Sequence, residues 1–126
     1  MSETRMARFL VLDDDPISRE IVRSLLKDHD VVEASTTEEG IDLYKSESFE
    51  AVITDLFIPA RGGLEVIRAI RELDPDARLI AVSGIGLKER GELLTMAHDA
   101  GARHALKKPL DPDEFHAAVE DVLSDA

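Results

Sequence analysis

The stretch Ala51-Val52-Ile53-Thr54-Asp55-Leu56-Phe57-Ile58-Pro59 decides the reading of this chain. An apolar run of strand length ends on an acid, and a proline follows shortly after it. Three other segments are built the same way, each closing an apolar run with a group that complements a carboxylate. Phe9-Leu10-Val11-Leu12 precedes Asp13 and Asp14, Leu79-Ile80-Ala81-Val82 precedes Ser83, and His104-Ala105-Leu106 precedes Lys107-Lys108-Pro109. In an open parallel sheet, ligands bind outside the carboxyl ends of the strands. Three acids, one hydroxyl and one amine are therefore expected around a shared point, a set suited to a divalent cation and a phosphoryl group.

Between these runs lie segments of helical period, giving the alternation of a parallel sheet covered by helices on both faces. Five such units fit, an α/β fold with a doubly wound sheet. Ile17, Ile21, Val22, Leu25 and Leu26 form one predicted helical stripe, Leu64, Ile67, Ile70 and Leu73 another, and Phe115, Ala118, Val119 and Val122 a third. Less sharply patterned helices fall near 36–47 and 87–100. Asp15-Pro16 places a capping acid before a proline at the first helical position, and Asp111-Pro112-Asp113-Glu114 adds a Glu at capping-box spacing. Gly101 is a helix stop.

The chain has 126 residues, enough for one domain that buries roughly two-thirds of its unfolded surface without staples. Its formal net charge of −12 repels phosphate backbones and anionic lipid, which argues against nucleic-acid and membrane partners. The absence of cysteine excludes disulfides and thiolate chemistry. Arg5 and Arg8 are followed by too few apolar residues for a signal-peptide core. A soluble, cytoplasmic protein without a further effector domain is the expectation.

Mg²⁺ takes oxygen ligands, usually one or two protein carboxylates plus substrate phosphate. Asp13, Asp14 and Asp55 could supply such a site if the first and third strands are neighbours, about 5 Å apart. Lys108 would reach in as a compact cation and Ser83 would donate to a phosphoryl oxygen.

At these residues the sequence resembles the receiver domain of two-component response regulators, from about Arg8 to Leu123. The resemblance rests on Leu10-Val11-Leu12-Asp13-Asp14-Asp15-Pro16, on Ile53 to Pro59 with Gly63-Leu64 after it, on Ala81-Val82-Ser83-Gly84, and on Gly101-Ala102 leading to Lys108-Pro109. It implies a flavodoxin-like strand order 2-1-3-4-5 and a phosphoacceptor switch rather than an enzyme. Asp55 would accept a phosphoryl group from a phosphohistidine on a sensor kinase or phosphotransfer protein, changing contacts with an unknown downstream protein. Asp13, Asp14 and Asp55 would hold Mg²⁺, or Mn²⁺, with the Phe57 backbone carbonyl as a further ligand. Ser83 and Lys108 would bind phosphoryl oxygens, and a cis bond would join Lys108 to Pro109.

Three residues depart from the family pattern. Ala105 stands where an aromatic is usual on the fifth strand, with His104 expected on the opposite face. Ile58 replaces a methionine, and Gly62 replaces an aspartate at the start of the third helix. Phe57 and Ile85 flank the expected phosphate site with apolar side chains that would restrict attacking water.

Each motif also has a plainer reading. Asp13-Asp14-Asp15 alone is a solvated strand end or helix cap, Asp55 a turn residue, Ser83-Gly84 a turn, and Lys107-Lys108 surface charge. A second function class is a haloacid-dehalogenase-type phosphatase using Asp13 and Asp15, and a third is a degenerate receiver that binds partners without phosphorylation. His29, His98, His104 and His116 are expected to be surface or rim residues.

Overall fold

The computed structural model describes residues 6–56, 62–84 and 95–124. Five parallel strands form one sheet: β1 (Arg8–Leu12), β2 (Asp30–Ala34), β3 (Ala51–Asp55), β4 (Leu79–Ser83) and β5 (His104–Lys107). Their spatial order is β2-β1-β3-β4-β5, as the resemblance implies. The order reverses between β1 and β3, which are hydrogen-bonded neighbours with Leu12 opposite Thr54. That reversal opens a crevice above the carboxyl ends of the two strands.

The two-residue strand period sorts the core into two layers. Phe9, Val11, Ile53, Ile80, Val82 and Leu106 face one side. There Val22 and Leu26 of α1 (Pro16–Leu25, with Leu26 as its cap) and Phe115, Ala118, Val119 and Val122 of α5 (Pro112–Ser124) cover them. Leu10, Leu12, Val52, Leu79 and Ala81 face the other side. They meet α2 (Thr37–Ser46), α3 (Gly62–Leu73) and α4, whose described part is 95–100.

Helix starts follow the expected chemistry. The Asp15 carboxylate accepts from the Ile17 N–H, with Pro16 entering the first turn, and Asp111 accepts from the Glu114 N–H. Gly101 ends α4 at a φ of 125°, a conformation that favours glycine, and the Arg71 side chain packs against it.

Two buried stripes are narrower than the apolar periodicity predicts. On α1 only Val22 and Leu26 are fully buried, whereas Ile17 and Ile21 are 66% and 50% exposed. The early residues of the helix meet Asp13 and Lys108 at the strand ends instead of the core, Ser18 and Arg19 bonding there directly. On α3 the buried residues are Val66, Ile67 and Ile70, with Leu73 exposed.

Helix α2 approaches the sheet closely at Gly40, where an added Cβ would lie 2.3 Å from Leu12 Cδ1. Leu12 is itself enclosed and cannot swing away. Gly40→Val is therefore expected to destabilise by about 3 kcal/mol, the upper end for overpacking a filled core. Urea unfolding should show a lower midpoint with an unchanged slope; a wild-type midpoint would mean that α2 shifts freely.

Candidate functional site

The sheet gathers the four expected groups at one end. Asp13 follows β1, Asp55 and Ser83 are the last residues of β3 and β4, and Lys108 follows β5. The ladder fixes their alignment, pairing Asp55 with Val82 and Ser83 with Lys107, and the Lys108 N–H donates to the Ser83 carbonyl at 2.8 Å. The Lys108–Pro109 bond is cis, as the resemblance implies.

Asp13 and Asp55 are 4% and 7% exposed, while Asp14 is open to solvent. One carboxylate oxygen from each of these three residues lies within 4.8 Å of the others. Three hard oxygen donors at this spacing, one facing water, fit a cation that keeps part of its hydration shell. Lys108 Nζ bridges the two buried acids, donating to Asp13 Oδ2 at 2.9 Å and Asp55 Oδ2 at 3.1 Å. Burial alone would pull this ammonium's pKa down, but the hydrogen bond to Asp13 and the charges of Asp55 and Asp13 outweigh it, and the pKa is raised. The lysine stays charged at neutral pH.

The Ser83 hydroxyl is fully buried and finds no hydrogen-bond partner among the described residues. A buried hydroxyl left unpaired is costly unless a ligand completes it. Its place at the end of β4, next to Asp55, suits a phosphoryl oxygen as that partner.

Two residues of α1 complete the site and carry no signal in the sequence. Ser18 accepts from Lys108 Nζ at 3.1 Å. Arg19 donates to the Asp13 carbonyl at 2.7 Å and to Glu33 Oε1 at 2.9 Å, tying the acidic loop to β2. A serine and an arginine near a helix start read as solvated face until their contacts with Lys108 and Asp13 are known.

Asp15 has the capping role expected of it. One oxygen takes the Ile17 N–H at 3.1 Å and the other the Ser18 hydroxyl at 3.0 Å. These bonds, the first above all, hold its carboxyl below the usual range. A lowered folded pKa contributes stability that is present above the ordinary carboxylate range and lost as the pH falls through the lowered value. Asp15→Ala is therefore expected to lower the melting temperature at neutral pH, with a deficit that narrows in acid. A deficit of equal size in strong acid would contradict this.

His104 and Ala105 point to opposite faces, as expected. His104 Nε2 pairs with Asp121 Oδ2 of α5 at 2.7 Å, while Ala105 packs with the α3 and α4 layer. His29 and His116 form structural ties, His29 Nδ1 accepting from the Ala7 N–H and His116 Nε2 bonding the Leu25 carbonyl. Phe57, Ile58 and Ile85 lie outside the described residues.

An acid pair, an acid on the adjoining strand, a buried hydroxyl and a bridging lysine at the switch point of a doubly wound sheet define a phosphoacceptor signalling module. The family model for the response regulator receiver domain matches residues 9–120, and the chain belongs to that family. It is 30% identical over 117 residues to the chemotaxis protein CheY of Halobacterium salinarum, covering 91% of this chain and 95% of that one. It is 33% identical to the nitrate/nitrite response regulator protein NarL of Escherichia coli, whose length it covers to 62%. Among solved structures, a response regulator receiver domain protein from Clostridium thermocellum superposes with a TM-score of 0.86 at 26% identity, over 94% of this chain and 95% of that one. A two-component response regulator of the LuxR family from Aurantimonas gives 0.84 at 33% identity, over 95% and 86%. The protein is a phosphoacceptor switch; the phosphatase and degenerate-receiver readings are not favoured. No described helix is long and apolar enough to cross a membrane.

Proposed function

We propose that Asp55 is the phosphoacceptor, taking a phosphoryl group from a phosphohistidine on a histidine kinase or phosphotransfer protein. The observation that carries this reading is the pairing of Asp55 with a charged Lys108 beside the Ser83 hydroxyl, which is buried and without a partner among the described residues. An Asp55 oxygen attacks phosphorus in line as the nitrogen–phosphorus bond breaks, and the imidazole leaves. Lys108 and Ser83 bind the phosphoryl oxygens and stabilise charge during transfer. Asp13, Asp14 and Asp55 would hold Mg²⁺ or Mn²⁺, with the Phe57 carbonyl as a further ligand on the family pattern. Bound there, the cation neutralises charge that otherwise opposes an incoming phosphoryl group.

The exposed Ile17 and Ile21 support a protein donor. Ile21 borders a small, mostly apolar cavity of about 190 Å³ formed with Ser18, Val22, Lys108, Pro109 and Leu110. Apolar surface beside a charged site suits a docked protein surface better than a small phosphate. On this reading the chain is one receiver domain working in the cytoplasm. It assists its own phosphorylation and dephosphorylation without turning over a separate substrate.

The test is intact mass after incubation with acetyl phosphate, with and without Mg²⁺. A single Mg²⁺-dependent phosphoryl adduct is expected. No adduct, once rapid hydrolysis is excluded by trapping at short times, would refute the assignment.

A further inference from the structure

An ammonium has three N–H donors, and among the described residues three acceptors surround Lys108 Nζ. Asp13 Oδ2 and Asp55 Oδ2 lie at 2.9 and 3.1 Å, and Ser18 Oγ at 3.1 Å. The third contact is itself oriented, because the Ser18 hydroxyl donates to Asp15 Oδ2 at 3.0 Å. The other Asp15 oxygen is fixed by the Ile17 N–H at the helix start. A hydroxyl whose proton points at Asp15 presents its lone pairs to Lys108, so a chain of hydrogen bonds runs from the helix cap to the ammonium.

The three acceptors fare differently during reaction. The Asp55 carboxylate loses its own charge when an oxygen becomes bonded to phosphorus, and Asp13 would be shared with a cation. Ser18 keeps the same hydrogen-bonding capacity throughout. A lysine side chain is long and rotamer-rich, so one constant contact matters for where its charge rests.

We propose that Ser18 is a positioning residue for phosphoryl transfer: its hydroxyl, oriented by Asp15, keeps the Lys108 ammonium beside Asp55 while the anionic partners of that ammonium change. This rests on the reading of Asp55 as phosphoacceptor.

The experiment is a double-mutant cycle of Ser18→Ala and Lys108→Met, with Ser18→Thr as the conservative control. Two quantities are read: the initial rate of adduct formation with acetyl phosphate and Mg²⁺, and the stability to urea without Mg²⁺. Ser18→Ala should slow adduct formation roughly tenfold, the size expected for one hydrogen bond to a charged group. Ser18→Thr, which retains the hydroxyl, should recover most of the rate. In the Lys108→Met background Ser18→Ala should leave the rate unchanged and lower stability only by what the Ser18–Asp15 bond contributes, less than in the wild-type background, so both show coupling. A wild-type rate in Ser18→Ala would overturn the proposal, and so would effects that add fully to those of Lys108→Met, since Ser18 would then act through helix α1 alone. A wild type that forms no adduct would instead refute the phosphoacceptor reading, and this proposal with it.

Discussion

Asp55→Asn is expected to remove phosphoryl uptake, lowering the rate of adduct formation by at least about 10³-fold while the protein stays folded. The amide is nearly isosteric with the carboxylate, and Asp55 sits at the end of a strand whose residues are all buried. Shape is kept and the nucleophilic oxygen is lost. A neighbouring acid is a poor substitute, because Asp13 and Asp14 follow a different strand and would be engaged in holding the cation. Mass spectrometry of the variant with acetyl phosphate and Mg²⁺ checks the outcome. An adduct that persists at the wild-type rate would place the acceptor elsewhere. Asp13→Asn in the same assay should retain acceptor chemistry but need far more Mg²⁺, since it removes a ligand and leaves the nucleophile.

Much of this site was legible in the sequence because its chemistry is attached to strand ends. A residue directly after a short apolar run in an alternating pattern has little choice of position: Asp13, Asp55, Ser83 and Lys108 all fall at the carboxyl edge of the sheet once the strands are parallel. The α5 stripe was legible for a similar reason, since Phe115, Ala118, Val119 and Val122 repeat at helical spacing over a helix covered along its length. Ser18, Arg19, Ile17 and Ile21 were not legible. Their roles depend on where the early residues of α1 fall relative to Asp13 and Lys108, and that placement is not encoded in local periodicity. An isoleucine stripe can face a core or a partner, and only packing distinguishes the two. The tie between Tyr44 and Asp74, joining α2 to the end of α3 at 2.7 Å, is likewise a long-range contact with no local signature.

Lys108→Met is expected to destabilise the metal-free protein by about 3 kcal/mol, the lower end for breaking a buried ion pair by removing one partner. Methionine has similar length and tolerates irregular surroundings, so lost packing contributes little. The cost is electrostatic: the lysine bridges two carboxylates that are each less than a tenth exposed, and without it they face one another across a poorly solvated gap. Two consequences separate this account from simple damage to the fold. Mg²⁺ bound only to the folded state should stabilise the variant more than the wild type, because the ammonium no longer competes for Asp13 and Asp55. Asp13→Asn in the Lys108→Met background should restore much of the lost stability by removing one of the opposed charges. Asp14→Asn in the otherwise wild-type chain should act in the same sense, raising the metal-free melting temperature and weakening the response to Mg²⁺. Melting curves of these variants with and without Mg²⁺ decide the matter. A Lys108→Met protein as stable as wild type without metal, or less responsive to Mg²⁺ than wild type, would mean that the acids tolerate one another without the lysine. The bridge would then be a consequence of the site's geometry and not a condition for it.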